Sequence, residues 1–244
     1  MRLNRYLARA GLGSRRNVER LILSGQVSIN GEIVSDLGRR VVPEQDVVEV
    51  AGNRVKLPTQ WQIYAFHKPR DVVCSLRSQG GQPCLAPFRN QAGLPVSVIP
   101  VGRLDAETTG LLLWTDDGEL AQILCRPASR IWKVYEVVLA APLNRKECGI
   151  MSRGELELDG RTCLPLQIES GSPGDGQHWV LRLHEGRNRQ IRRMFDQLGH
   201  DVLNLHRVQV GPISLGSLSE GCFRPLSRQE EDDLRHEAGQ TTSE

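Results

Sequence analysis

The chain runs to 244 residues, with 31 basic against 29 acidic side chains, a formal net charge of +2 and 39% apolar residues. Such a length suits one large domain or a small domain joined to a medium one, and the charged and apolar fractions are those of an ordinary soluble protein. No apolar run approaches the length of a membrane span, and Met1-Arg2-Leu3-Asn4-Arg5 opens a short amphipathic pattern, not a secretory leader. The six cysteines never fall as C-x-x-C, lack zinc spacing and do not read as a disulfide framework, which points to a reduced, cytoplasmic compartment. The near-neutral total hides a bias, because ten basic residues face six acids within residues 1–60 and arginine far outnumbers lysine. Arginine's planar fork suits bidentate phosphate contact, which favours a nucleic-acid partner.

The first segment reads as two short helices and a hairpin. Leu3, Tyr6, Leu7 and Ala10 recur at helical spacing, and Gly11 is a stop. Ser14 can cap a second helix with Val18, Leu21 and Ile22 on its inner face, ended by Gly25. Val27-Ser28-Ile29 alternates as a strand, Asn30-Gly31 is a hairpin turn, Ile33-Val34 begins the return strand, and Val47 to Val50 reads as another. Three stretches, Arg2-Leu3 through Ala10-Gly11, Gly13-Ser14-Arg15-Arg16, and Gly25 through Gly31, resemble the alpha-L RNA-binding fold. That resemblance implies that Arg15, Arg16 and Arg20 meet RNA phosphates, and the free N–H groups at the helix start would add to the grip. Read as isolated residues, the same arginines are a solvated helix face.

Leu57-Pro58-Thr59-Gln60 has the look of a linker, so the expected division is residues 1–60, residues 61–236 and a disordered tail over 237–244. The larger segment opens on a strand, Ile63-Tyr64-Ala65-Phe66, running into His67-Lys68-Pro69. Lys133 to Leu139 and His178 to His184 look like strands, and Glu119 to Leu124 and Asn188 to Leu198 like helices. Residues 171–176 read as a loop, and Ser227 with Glu230 forms a capping box for a last charged helix. Strand and helix signals mix without β-α alternation, so the fold class expected is α+β, a small αα-hairpin domain followed by a mixed-sheet domain.

The chemistry concentrates in three motifs. Gly102-Arg103-Leu104-Asp105-Ala106-Glu107-Thr108-Thr109-Gly110 holds one acid in a tight polar loop, followed by the apolar run Leu111-Leu112-Leu113. Taken alone, Asp105 caps a turn. Arg103 and Thr108 or Thr109 can hold its carboxylate, and a charged acid near a sheet core needs a cationic partner. Glu185-Gly186-Arg187-Asn188-Arg189-Gln190-Ile191-Arg192-Arg193 supplies cations. Ile191, Met194, Phe195 and Leu198 make an apolar helix face, Arg189 and Arg193 lie opposite, and Arg192 falls at the border, about 100° from Ile191, where it can reach a partly buried acid. In Lys133-Val134-Tyr135, Tyr135 by itself is a core aromatic. The histidines at 67, 178, 184, 200 and 206 show no metal-ligand spacing.

Together these motifs resemble the RsuA/RluB-type ribosomal RNA pseudouridine synthases, and the resemblance extends from Arg2 to about Leu234. G-R-L-D-x-x-T-x-G-L-L-L is that family's signature, K-x-Y and the arginine motif its companions. His67-Lys68-Pro69-Arg70-Asp71 resembles its K-P-x-G motif with Asp71 in place of glycine, and Leu205 to Leu215 its last, pocket-lining motif. The resemblance implies a catalytic Asp105, held by Arg192, with Tyr135 stacked on a flipped uracil and active in proton transfer. It implies RNA contacts at Arg103, Arg187, Arg189 and Arg207, no metal or organic cofactor, and ribosomal RNA as partner of a cytoplasmic, bacterial-type monomer. Gly-Ser-Arg-Arg and Glu-Gly-Arg-Asn-Arg lean toward the large-subunit branch, Thr108-Thr109 and Leu205-His206-Arg207 toward the small-subunit branch. Transfer RNA as substrate, or a non-catalytic ribosome assembly factor, are the rival readings, the latter opposed by the intact Asp105, Tyr135 and Arg192.

Overall fold

A computed structural model describes residues 1–58, 60–126, 129–171 and 176–240. The chain forms two compact units: residues 1–63 with 93–99 and 115–118, and residues 64–92, 100–114 and 119–244.

In the first unit, helices α1 (Leu3–Arg9) and α2 (Arg15–Leu23) precede a sheet of β1 (Val27–Ile29), β2 (Glu32–Ile33), β3 (Val48–Val50) and β4 (Asn53–Val55), ordered β2-β1-β3-β4. Ser14 caps α2 by accepting a hydrogen bond from the Asn17 N–H, as expected. Asn30 (φ 53°) and Gly31 (φ 85°) both take positive φ, the backbone of a type I′ hairpin turn. Leu3, Tyr6, Leu7, Val18, Ile22, Val27 and Ile29 close a small core. Strand β4 escaped the sequence reading because Asn53-Arg54-Val55 carries one apolar residue.

The second unit is built on a nine-stranded mixed sheet. Its elements in chain order are β5 (Ile63–Lys68), α3 (Ala86–Gln91), β6 (Ile99–Pro100), β7 (Thr109–Thr115), α4 (Gly118–Cys125), β8 (Lys133–Leu139) and α5 (Arg145–Arg153). A two-stranded hairpin of β9 (Glu157–Leu158) and β10 (Arg161–Thr162) follows. Then come β11 (Gln167–Ser170), β12 (His178–Leu183), α6 (Gln190–Gln197), β13 (Val202–Val210), β14 (Ile213–Ser214), β15 (Phe223–Pro225) and α7 (Arg228–Gln240). The main path runs β11-β12-β8-β13-β7-β5-β15, with β14 on β13 and β6 on β7. Strands β13 and β7 pair in parallel, whereas β8 pairs antiparallel with both β12 and β13. Every residue of β7 is buried, which is why Leu111 to Trp114 reads as an unbroken apolar run.

Two expectations need correction. Helix α6 begins at Gln190, because Arg189 sits at its N-cap in the left-handed region (φ 48°). The capping box of Ser227 and Glu230 forms, but α7 continues to Gln240 and Ala238 is buried, so residues 237–240 belong to a helix and not to a disordered tail. Most of the loop read at 171–176, the end of the tail (241–244) and Thr59 of the linker lie outside the described residues.

Gly110 (φ 105°) explains why the polar loop of the signature ends in glycine. A Cβ there would stand 2.2 Å from the Arg207 carbonyl oxygen and 2.6 Å from its nitrogen, because Gly110 and Arg207 are register partners of the parallel pair. Backbone cannot swing aside as a flexible side chain can. Gly110→Ala is therefore expected to destabilise the protein by about 4 kcal/mol or more, read as a collapse of the urea midpoint or loss of soluble protein. A midpoint close to the parent's would contradict the close approach.

Candidate active site

Asp105 sits in a loop held by its main chain. Lys68, fully buried at the end of β5, donates from Nζ to the carbonyls of Pro69 (2.8 Å), Ala106 (3.0 Å) and Thr108 (2.9 Å). The Asp71 N–H donates to the Ala106 carbonyl (2.8 Å), the Thr108 N–H to the Asp105 carbonyl (3.0 Å) and the Leu104 N–H to the Cys74 sulfur (3.2 Å). Asp71 has φ 60°, so glycine is the easiest residue at that position and aspartate one of the few others that tolerate it. The structure makes Lys68 the clamp of the whole loop, and burial pushes its ammonium down to about 8.

Asp105 itself is half-buried, and among the described residues its carboxylate takes no side-chain hydrogen bond. Neither threonine holds it, contrary to expectation: Thr109 Oγ1 pairs with His206 Nδ1 (2.7 Å), and Thr108 Oγ1 is buried without a partner. Cations act on it through space instead, and its charge favours the protonated forms of Lys68 and Arg192.

The carboxylate lines a pocket of about 460 Å³, inside the range of about 300–1,000 Å³ typical of sites that enclose a small molecule. Tyr135, Lys133, Arg103, Arg187, Arg189, Arg207, Leu205 and Ile191 line it too. Tyr135 is buried on the core face of β8 with Val137 and Leu139, so its ring is both core and pocket wall. Lys133, two residues earlier, donates to the His184 carbonyl (3.1 Å), and burial lowers its ammonium to about 8.

The arginines divide by what already holds them. Arg207 is buried, donating from Nε to the Leu111 carbonyl (2.7 Å) and from Nη1 to the Tyr135 hydroxyl (3.4 Å). Arg207, expected at the RNA, thus also braces the Tyr135 hydroxyl at the pocket wall. Arg187 is held by the fold as well. It donates to Glu185 (3.1 Å) and to the carbonyls of Leu158 (3.1 Å), Arg161 (2.8 Å) and Thr162 (2.6 Å), tying the β9–β10 hairpin to the start of α6. The buried Glu185 also accepts from the Gln190 side chain and the Leu164 N–H, so this carboxylate is fully engaged. Arg103 is exposed at the pocket and, among the described residues, makes no hydrogen bond or ion pair.

Arg192 makes no ion pair with Asp105 in this structure. It donates from Nη1 to the Val202 carbonyl (3.0 Å), and its Nε lies 3.4 Å from a Glu107 carboxylate oxygen. It is not among the residues that line the pocket. Arg189 reaches the same Glu107 oxygen at 3.3 Å. Glu107 stands inside the signature, two residues beyond Asp105, and nothing in its local pattern marks it as a partner of the arginine.

Comparison with known proteins fits this geometry. Residues 62–197 match the family model described as RNA pseudouridylate synthase, and residues 1–57 match the S4 domain. The chain belongs to the RNA pseudouridylate synthase family. It is 38% identical to an uncharacterised RNA pseudouridine synthase of Aquifex aeolicus, over 94% of this chain and 92% of that one. It is 35% identical to the ribosomal large subunit pseudouridine synthase B of Bacillus subtilis, over 96% and 95% of the two chains. A crystal structure of a pseudouridylate synthase superposes with a TM-score of 0.67 at 31% identity, covering 96% of this chain and 99% of that one.

In this pseudouridine synthase the S4 unit presents Arg15, Arg16 and Arg20 exposed along α2, with Arg20 bonded to Asn17 (2.7 Å). The synthase unit gathers Asp105, Tyr135, Arg103, Arg187, Arg189 and Arg207 at one pocket. The sequence reading overlooked Lys133 as a pocket cation and Cys74 as a loop anchor, although the K-x-Y spacing does place Lys133 on the same strand face as Tyr135.

Proposed function

We propose that this synthase isomerises a uridine of large-subunit ribosomal RNA, with Asp105 as the catalytic carboxylate, Tyr135 as the base-facing aromatic and Arg192 as the cation that orients Asp105. The observation that carries the reading is the half-buried Asp105, free of side-chain hydrogen bonds, at a nucleotide-sized pocket walled by Tyr135. The relative from Bacillus subtilis, named for the large ribosomal subunit and matched along nearly its whole length, supports the choice of RNA. The target nucleotide leaves its stack and enters the pocket, as enzymes that work on a base require. The bond from N1 to the sugar breaks, the uracil turns, and a bond from C5 to the sugar forms. C5 loses its proton and N1 gains one, so no oxidant or reductant is needed. Asp105, ionised, attacks the sugar or the base. Tyr135, held by Arg207, stacks on the uracil and serves the proton transfer.

Residues 1–60 act as the RNA-gripping domain and residues 61–236 as the catalytic one, in a cytoplasmic monomer. Replacing Arg15, Arg16 and Arg20 together by glutamine is expected to weaken RNA binding and to flatten the plot of log Kd against log salt by about two to three units, near one per phosphate contact. An unchanged slope would remove these arginines from the interface. The reading as a whole is tested by incubating the purified protein with unmodified transcripts of each ribosomal RNA and locating pseudouridine by carbodiimide primer extension. One new stop in the large-subunit transcript is expected; a stop only in the small-subunit transcript, or none in either, overturns the assignment.

A further inference from the structure

Two guanidinium groups touch one carboxylate of the Asp105 loop, and a third acts on it through space. Arg189 and Arg192 touch Glu107 at 3.3 and 3.4 Å, and Arg70, bonded to the Leu203 carbonyl, adds its field to both Glu107 and Arg192. Three positive charges against two negative, Glu107 and the nearby Asp105, leave the cluster net cationic. Two features show that it is not a settled structural network. Glu107 is half exposed, with 49% of its side chain open, although it is the carboxylate that both arginines share. Arg192 is 12% exposed, and its Nε and Nη2 are buried with no hydrogen-bond partner; the contact of Nε with Glu107 is an ion pair without hydrogen-bond geometry. Buried donors of this kind are rare and call for a reason. The contrast with Arg187 is direct, since every donor group of that arginine meets an acceptor of the fold.

The backbone is strained at the same place. Arg189 holds φ 48° at the N-cap of α6 and offers the helix no side-chain cap. A non-glycine residue in that region costs energy and persists where the surroundings or a function require it. Here the conformation places a guanidinium at the pocket edge, next to the positive end of a helix.

We propose that Glu107 is a placeholder for a phosphodiester group of the RNA. In the RNA-free protein it occupies Arg189 and Arg192. A backbone phosphate flanking the flipped nucleotide takes its place on Arg189, for which the planar fork of arginine is suited. Glu107 then swings into solvent, and Arg192 is released to pair with Asp105, whose charge already acts on it. Assembly of the catalytic ion pair is thereby coupled to RNA binding. This proposal rests on the reading of Asp105 and Arg192 as catalytic partners.

The test is a double-mutant cycle of Glu107→Gln and Arg189→Gln, measuring Kd for an unmodified large-subunit transcript and for a uridine decamer, with kcat and KM for the transcript. Removing the competing carboxylate is expected to tighten binding about threefold to tenfold, and the gain falls in KM, not in kcat. In the Arg189→Gln background the same change has less than about a twofold effect, because the phosphate no longer has its partner. Glu107→Asp, which withdraws the carboxylate by one methylene, shifts Kd in the same direction by less. Unchanged or weaker binding overturns the proposal. So does equal tightening in the Arg189→Gln background, which would be a bulk charge effect. A drop in kcat at unchanged Kd also overturns it, since Glu107 would then hold Arg192 in the working enzyme. A wild-type protein that makes no pseudouridine would instead defeat the functional reading, while the binding cycle would still report on Glu107.

Discussion

Asp105→Asn is expected to abolish pseudouridine formation, by at least about ten-thousandfold, while RNA affinity stays within about threefold. The substitution preserves shape and removes only the charge and nucleophilicity of the carboxylate. What fixes the loop is untouched: Lys68, Asp71 and Cys74 all hold backbone groups, and the carboxylate bonds no neighbouring side chain. Stability should therefore change by less than about 1 kcal/mol. In the proposed function, binding rests on the arginines and on base stacking against Tyr135, neither of which the change removes. A variant that keeps measurable turnover would deprive Asp105 of its role. One that loses affinity tenfold or more would make it a binding residue.

The second large effect is expected at Lys68. Lys68→Met fills a similar volume but leaves three carbonyl oxygens, of Pro69, Ala106 and Thr108, without their shared donor in the interior. Each such loss is costly, and removing one partner of a buried charged network typically costs about 3 to 5 kcal/mol. The urea midpoint should fall accordingly, and activity should fall further than the folded fraction does, because the affected carbonyls belong to the Asp105 loop. The same lysine sets an alkaline limit. Its folded-state value is about 8 against an ordinary 10.5, so the protonated clamp is intact well below pH 8 and is lost as pH rises through it. Neutral lysine has two N–H donors for three carbonyls. Lys133, lowered to about 8 at the pocket wall, loses its charge over the same interval. Activity is therefore expected to decline above pH 8, with an apparent midpoint near that value. A rate flat to pH 10 would show that neither charge matters.

The features legible in the sequence are those that depend on local pattern. The Ser14 cap, the Asn30-Gly31 turn and the strand at Lys133–Leu139 each follow from a few adjacent residues. So does the partial burial of Arg192, because its place on the helical wheel beside Ile191, Met194 and Phe195 fixes how deep it sits. What stayed hidden depends on contacts far apart in the chain. Arg187 and Arg207 look like phosphate ligands by type. Their acceptors, on the β9–β10 hairpin and on β7, are brought to them only by the folded chain. Gly110 needs a neighbouring strand 97 residues later to explain it. Glu107 and the two arginines that share it are likewise brought together only by the folded chain.

The most direct test of the account is to map pseudouridines by carbodiimide in the total RNA of cells lacking this gene, restored with the wild-type gene or with Asp105→Asn. The account predicts one large-subunit ribosomal site that disappears with the gene, returns with the wild type and does not return with Asp105→Asn. No lost site, or restoration by Asp105→Asn, would contradict it and leave an RNA-binding protein that does not need its carboxylate.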